Sequence, residues 1–122
     1  MDVKKCYEQL EGDYKGILFR LSNDEAIIRF LKKFLKDETF SNLKKELYLN
    51  NREKSFLYVH ALKGICSNMG FLKLLKKCSD LTENIRSESS EITVTTKELF
   101  DIVEQEYNHT ILTIKETVES EW

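Results

Sequence analysis

The chain has 122 residues, a length that suits one domain with a modest hydrophobic core. Hydrophobic residues make up 41% and charged residues 33%, which argues against a disordered chain, and a net charge of −2 without a long Lys/Arg block argues against nucleic-acid binding. Because there is no proline and there are only four glycines, long helices are permitted and a turn-rich β fold is disfavoured.

Membrane, secretion and metal signals are also weak. The longest apolar runs, such as residues 16–19, are too short for a transmembrane helix, and residues 1–5 lack the apolar segment of a signal peptide. The cysteines are Cys6, Cys66 and Cys78. Their odd number and spacing predict reduced thiols. Because His60 and His109 are the only histidines, we expect no metal site and no cofactor. We expect a cytoplasmic protein with no membrane or nucleic-acid partner.

The first part of the chain has the apolar periodicity of short helices. Residues 3–10 predict a helix capped by Asp2, and residues 13–21 predict a second. Residues 22–25 resemble a capping box with Ser22 as the cap, which opens a third helix. The apolar positions of that helix are Ile27, Ile28, Leu31, Phe34 and Leu35.

The remainder predicts four more helices. Phe40, Leu43 and Leu47 mark the first of these helices. A second capping box at residues 50–53, with Asn50 as the cap, begins the next helix. That helix covers about 51–69, contains His60 and ends at Gly70. The apolar positions of the following helix are Leu72, Leu75, Cys78, Leu81 and Ile85. The polar residues 87–94 indicate a loop, and a third capping box at 95–98 begins the last helix. The apolar positions of that helix are Leu99, Val103, Tyr107, Ile111, Ile114 and Val118.

These elements predict one all-α domain over residues 1–122, an antiparallel four-helix bundle with short extra N-terminal helices. Residues 91–95 alternate like a strand, but a lone strand has no partner, so we reject that interpretation.

The helix around His60 divides into two faces at about 100° per residue. The face opposite His60 carries the predicted core residues: Tyr58, Val59, Ala61, Leu62, Ile65, Cys66 and Met69. Within about 60° of His60 lie Glu53, Phe56, Leu57, Lys63, Gly64 and Ser67. His60 is therefore predicted to be exposed rather than part of the core.

The neighbours of His60 suggest covalent chemistry. Lys63, one turn away, can reach a dianion on the imidazole, and Gly64 removes bulk where another molecule would approach, at a cost of about 1 kcal/mol in helix propensity. Ser67 is small and can donate a hydrogen bond. Phe56 and Leu57 are large apolar residues outside the predicted core, so they either form a docking patch or pack under the N-terminal helix.

Residues 60–64, His-Ala-Leu-Lys-Gly, followed by Gly70, resemble the signature of histidine-containing phosphotransfer (HPt) domains. The similarity extends over about residues 13–118, including a preceding helix pair at 29–47 and a following helix at 71–86. Val59, Ile65 and Cys66 are bulkier than is common in that family, and Thr82 stands where some members carry glutamine. Ile65 and Cys66 point toward the predicted core and affect packing more than chemistry, whereas Thr82 argues against a helper role of the following helix. We interpret Arg86 as a surface arginine near a helix end.

The resemblance implies a phosphorelay carrier. His60 would accept a phosphoryl group from the aspartate of one receiver domain and donate it to another, with Lys63 offsetting its charge. The partners would be response-regulator receiver domains and a sensor histidine kinase, and the receiver would supply Mg²⁺. The chain would be a monomer with no catalysis of its own, since nothing in it resembles a nucleotide-binding loop.

Two other functions stay open. In the first, the chain is a phosphoacceptor piece of a hybrid or chemotaxis-type histidine kinase. In the second, it is a module that binds a receiver without chemistry. Against a dimeric kinase helix, Ala61 rather than an acidic residue follows His60. His109 is a poor rival acceptor, because no Lys-Gly follows it and its neighbours Glu106 and Lys115 are predicted to be solvated.

Overall fold

Helices make up most of the computed structural model, which describes residues 1–87 and 91–119. These ranges contain no strand, so the predicted all-α class is confirmed, as is the rejection of a strand near residue 92. The helices are α1 (Val3–Gln9), α2 (Tyr14–Leu21), α3 (Asp24–Lys36), α4 (Thr39–Tyr48), α5 (Arg52–Met69), α6 (Leu72–Ser87) and α7 (Val94–Glu119). None of these described helices combines the length and apolar composition needed to cross a bilayer.

Two predicted helix caps are wrong by one residue. Asn23, not Ser22, caps α3 by accepting a hydrogen bond from the amide of Ala26 at 2.8 Å. Asn51, not Asn50, caps α5. Ser22 (φ 79°) and Asn50 (φ 56°) have left-handed backbones where the preceding helix or turn ends, whereas an N-cap residue needs the extended backbone that the next residue has.

The start of the last helix also differs from its prediction. Val94 begins α7, so the predicted capping box at 95–98 lies inside the helix. Thr93 and Thr96 cap it reciprocally, because each hydroxyl oxygen accepts from the other residue's amide at 3.2 Å. Thr96 also donates to Asn84 at 2.6 Å, which joins α7 to α6. Of the predicted 87–94 loop, residues 88–90 lie outside the described residues.

The core follows successive helix pairs. Helix α4 packs on α5, α5 on α6 and α6 on α7, and α3 also packs on α7. Phe34 meets Phe71 edge-to-face with ring centroids 5.1 Å apart, and Phe40 stacks on Tyr107 at 3.9 Å. Each buried aromatic ring contributes about 1.5–3 kcal/mol to stability. The Phe34 ring also lies 5.9 Å from that of Tyr107, so Phe34 and Phe40 hold α3 and α4 against α7. Helix α5 packs on both α4 and α6.

Hydrogen bonds from the N-terminal part of the chain, at Asp13 and Arg20, hold the end of α5. Gly70 ends that helix with φ 74°, as predicted from its lack of a Cβ. Its carbonyl accepts from the amide of Asp13 at 2.8 Å, and the Arg20 guanidinium donates to the carbonyl of Asn68. The last carbonyls of a helix have no partner within it, so these bonds satisfy the buried carbonyl of Gly70 and the exposed carbonyl of Asn68.

Tyr7→Phe tests this anchor. The buried Tyr7 hydroxyl donates to the carbonyl of Met69 at 2.7 Å, and burial raises the pKa of Tyr7, so the group stays a donor. We expect the substitution to lower the free energy of unfolding by about 1–2 kcal/mol, measured by urea denaturation. Tyr48→Phe is the matched control, because Tyr48 is 89% exposed and should change stability by less than about 0.5 kcal/mol. Equal effects of the two substitutions would contradict the anchor.

Candidate functional site

Helix α5 buries a narrow stripe. Its buried residues are Ser55, Val59, Leu62, Cys66 and Met69. Tyr58 and Ile65 are half-buried and pack against the core, whereas Ala61, predicted to be in the core, is exposed. The prediction for Ala61 is wrong because the buried stripe is narrower than predicted. It follows residues 55, 59, 62, 66 and 69 along one side of the helix, and residue 61 lies beyond its edge. His60 lies on the exposed face.

The imidazole of His60 is accessible and lightly restrained. Its ring stacks on Phe56, with centroids 6.0 Å apart and planes inclined by 15°. Among the described residues, neither ring nitrogen of His60 has a hydrogen-bond partner. A ring nitrogen of His60 therefore has an unengaged lone pair that can attack an electrophile.

The helical turn after His60 leaves space and supplies a charge. A Cβ at Gly64 would meet no atom within 4 Å, so nothing in the described chain requires a glycine there. Lys63 is half-buried and forms no salt bridge with any described carboxylate, which leaves its ammonium available to an outside anion. Ser67 is exposed on the same side. The three residues lie together with His60, as the helical spacing predicts.

The two proposed docking residues differ in how far they are exposed. Leu57 is 63% exposed, so it does not pack under another helix. Phe56 is half-buried, packs against the core and contacts the His60 ring. The guanidinium carbon of Arg86, at the end of α6, lies 5.5 Å from the centroid of the Phe56 ring. Phe56 is therefore part of the surroundings of His60 as well as part of the surface.

An open groove lies beside His60, toward the start of α5. Its lining residues are Arg52, Glu53, Phe56, Leu57 and Arg86. Arg52 donates to the main-chain carbonyl of Arg86 at 3.1 Å, which ties the start of α5 to the end of α6. Arg86 also pairs with Glu83 at 3.3 Å. Sequence reasoning missed Arg52 and the contact of Arg86 with Phe56, since it cannot bring the ends of two helices together.

Thr82 takes no part in this surface. It is fully buried, and its hydroxyl donates to the carbonyl of Cys78 one turn back in α6, at 2.7 Å. The hydroxyl is thus engaged with its own helix, which is a common arrangement for threonine inside helices. The Thr82 side chain therefore does not reach the surface around His60.

The second histidine, His109, has different surroundings from those of His60. His109 is exposed on α7, but its neighbour Glu106 is only 7% exposed and lies 3.7 Å from the ammonium of Lys73, so the prediction that Glu106 is solvated is wrong. Position 106 falls on the buried stripe of α7, which also contains residues 103 and 110. Lys115 is exposed, as predicted.

The cysteines are buried and unbridged. A hydrogen bond with Cys78, together with burial, raises the pKa of the Cys66 thiol well above its usual range, which keeps it protonated and a poor nucleophile. Within residues 1–87 and 91–119, no group of three or more His, Cys, Asp or Glu side chains is arranged to hold a metal ion.

No family model matches the chain, and comparisons with curated proteins and with solved structures give no match. The resemblance to HPt domains therefore depends on residues 60–64, Gly70 and the order of the helices. The geometry adds an exposed imidazole and an adjacent open surface on one side of α5, with a Lys63 ammonium that pairs with no carboxylate in residues 1–87 and 91–119.

Proposed function

We propose that this chain is a histidine phosphocarrier of a two-component phosphorelay. His60 accepts a phosphoryl group from the aspartyl phosphate of one receiver domain and donates it to the aspartate of another. The observation that carries the proposal is the open surface at Gly64, one turn after an exposed imidazole whose nitrogens bond to none of the residues that the structure describes. A helix tolerates that glycine at a cost of about 1 kcal/mol, which access for a second protein would explain.

The four-helix bundle of HPt domains is part of this proposal. Helices α4, α5, α6 and α7 pack in succession, and α3 closes on α7. Connections between successive helices are short at residues 49–51 and 70–71, which favours antiparallel neighbours. Such a bundle supports the proposed carrier by holding α5 between two helices while its His60 face stays outward.

The chemistry needs few groups from this chain. A lone pair of the His60 imidazole attacks phosphorus in line, a nitrogen–phosphorus bond forms, and the bond to the receiver's aspartate oxygen breaks, releasing a carboxylate. The same steps in reverse pass the group to a second receiver. The ammonium of Lys63 offsets the charge on the phosphorylated ring, while the receiver supplies Mg²⁺ and its acidic pocket. The chain is thus a carrier and not an enzyme.

The partners of this carrier are response-regulator receiver domains and, upstream, a sensor histidine kinase. The proposal places the chain in the cytoplasm and makes it a monomer, because transfer requires only one exposed α5 face. Sedimentation that gives a stable dimer would instead favour the kinase-fragment alternative, in which the phosphoacceptor helix belongs to a dimeric bundle.

The direct test is phosphotransfer from a receiver labelled on its aspartate, with Mg²⁺ present. We expect the chain to become labelled through a bond that acid hydrolyses and alkali does not, as a phosphohistidine requires. Adding a second, unlabelled receiver should then remove the label from the chain. Failure of a panel of phosphorylated receivers to label the chain would contradict the proposal, and so would an acid-stable label.

Lys63→Ala should slow transfer without unfolding the protein. The substitution removes a charge one helical turn from His60, and we expect transfer to be about tenfold slower, equivalent to about 1.4 kcal/mol. Single-turnover transfer rates at several salt concentrations provide the measurement. Lys115→Ala, at an exposed lysine of α7, is the matched control and should keep the wild-type rate. An unchanged rate for Lys63→Ala would remove Lys63 from the mechanism.

A further inference from the structure

The stack of Phe56 on His60 is the strongest restraint on the imidazole. The ring planes are inclined by 15° and the centroids are 6.0 Å apart, within the range of offset aromatic stacking. The residues are four positions apart on α5, so they are neighbours one turn apart on the helix surface. Since Phe56 is half-buried and packed against the core, its ring is held more firmly than that of exposed His60.

This contact leaves the reactive direction open. The nucleophilic lone pair of a neutral imidazole lies in the plane of the ring, whereas the Phe56 ring is nearly parallel to that plane and strongly offset, on the side of the preceding helical turn. Phe56 can therefore restrict rotation of the His60 ring without blocking the approach of phosphorus to a ring nitrogen. In-line phosphoryl transfer is sensitive to such orientation, because the attacking and leaving atoms must align with phosphorus.

Arg86 extends the arrangement onto α6. Its guanidinium lies over the Phe56 ring at 5.5 Å, a distance at which a cation is attracted to an aromatic face. The main chain of Arg86 is held in turn, because its carbonyl accepts from Arg52 at 3.1 Å. The Phe56 ring is thus placed by both helices that form this side of the groove.

We propose that Phe56 and Arg86 are positioning residues for phosphotransfer: Phe56 fixes the plane of the His60 imidazole and Arg86 steadies Phe56. This inference rests on the proposed carrier function and gives Phe56 a role beyond docking. A docking residue changes how tightly the receiver binds, whereas a positioning residue changes the transfer rate once the receiver is bound.

The ring contact can be observed in the unphosphorylated protein. In the NMR spectrum of protein labelled with ¹³C and ¹⁵N at histidine, nuclear Overhauser contacts should join the ring protons of His60 to those of Phe56, because the two rings lie side by side on α5. Phe56→Tyr should retain these contacts between the two rings, and Phe56→Leu should remove them. The shifts of His109, exposed on α7, should be the same in all three proteins.

Transfer kinetics decide the role. At saturating receiver, we expect Phe56→Leu to be about tenfold slower with its receiver Kd changed by less than about twofold, and Phe56→Tyr to be close to wild type. Arg86→Gln should be about threefold slower, the loss expected of one exposed cation–π contact, and Arg86→Lys should restore most of the rate. Leu57→Ala should show the opposite pattern, with a raised Kd and an unchanged maximal rate.

The outcomes separate this inference from the carrier proposal. If wild-type protein is labelled but Phe56→Leu and Arg86→Gln reach the wild-type maximal rate, or if Phe56→Leu raises only the Kd, the positioning role is wrong and the carrier function stands. The inference is equally wrong if no ring-to-ring contact between His60 and Phe56 is seen in the NMR spectrum. If no receiver labels the wild-type chain, both are wrong. Arg86 is exposed, so Arg86→Gln keeps the test decisive even if Phe56→Leu folds poorly.

Discussion

His60→Gln is expected to reduce phosphate uptake from a phosphorylated receiver to background, a loss of more than about hundredfold, because the glutamine amide cannot replace a covalent nucleophile. Glutamine keeps a polar side chain of similar length. Since His60 is exposed and makes no hydrogen bond with the described residues, the free energy of unfolding should change by less than about 0.5 kcal/mol. Label incorporated per chain, together with a thermal melt, measures both quantities.

His109→Gln is the matched control for this experiment. Both histidines are exposed in the middle of long helices, so a general effect of losing an imidazole would appear in both variants. We expect His109→Gln to take up phosphate like wild type. Uptake by His60→Gln at the wild-type level would refute His60 as the acceptor. Receiver binding by wild type without any uptake would favour the binding-module alternative.

Gly64→Ala is expected to move stability and transfer in opposite directions. A Cβ at this position meets no atom within 4 Å, so alanine fits the helix without strain. The free energy of unfolding should rise by about 0.5–1 kcal/mol, because alanine favours the helix and restricts the unfolded chain. Transfer should slow by about tenfold, because the added methyl group lies where the receiver must approach. Urea denaturation and single-turnover transfer give the two values.

Larger side chains at the same position should extend the trend. Gly64→Gln should transfer more slowly still while remaining folded, since the side chain projects into open space. Gly70→Ala is the control for stability, because φ of 74° and a Cβ only 3.0 Å from the carbonyl oxygen of Asp13 should make it destabilising by about 1–2 kcal/mol. If Gly64→Ala and Gly64→Gln transfer as fast as wild type, access is not the reason for glycine at this position.

Helix order and most helix ends were predictable because their causes are local. Apolar residues recur every three to four positions within each helix. Gly70 ends α5 because a glycine adopts the left-handed backbone there without a Cβ that would clash. The caps at Ser22 and Asn50 were predicted one residue too early, since both residues already complete a preceding helix or turn. That backbone geometry depends on how the chain leaves one helix for the next, which a capping pattern does not contain.

The face of α5 that carries His60, Lys63, Gly64 and Ser67 also follows from local geometry. Four residues spaced by three or four positions share a side of any regular helix, whatever surrounds it. The limits of the buried stripe do not follow in the same way. Exposure of Ala61 and burial of Glu106 depend on the angle at which neighbouring helices meet α5 and α7, and the apolar pattern leaves that angle open.

The surroundings of the imidazole came from tertiary packing. Phe56 was recognisable as a neighbour of His60, but its stacked ring and its contact with Arg86 depend on α6 lying beside α5. Arg52 and Arg86 are far apart along the chain and meet because the start of α5 lies next to the end of α6. Helical periodicity thus sufficed to place His60 on an exposed face, because that placement follows from hydrogen bonds within one helix. What touches that residue depends on contacts between helices, which are set by the packing of the whole core.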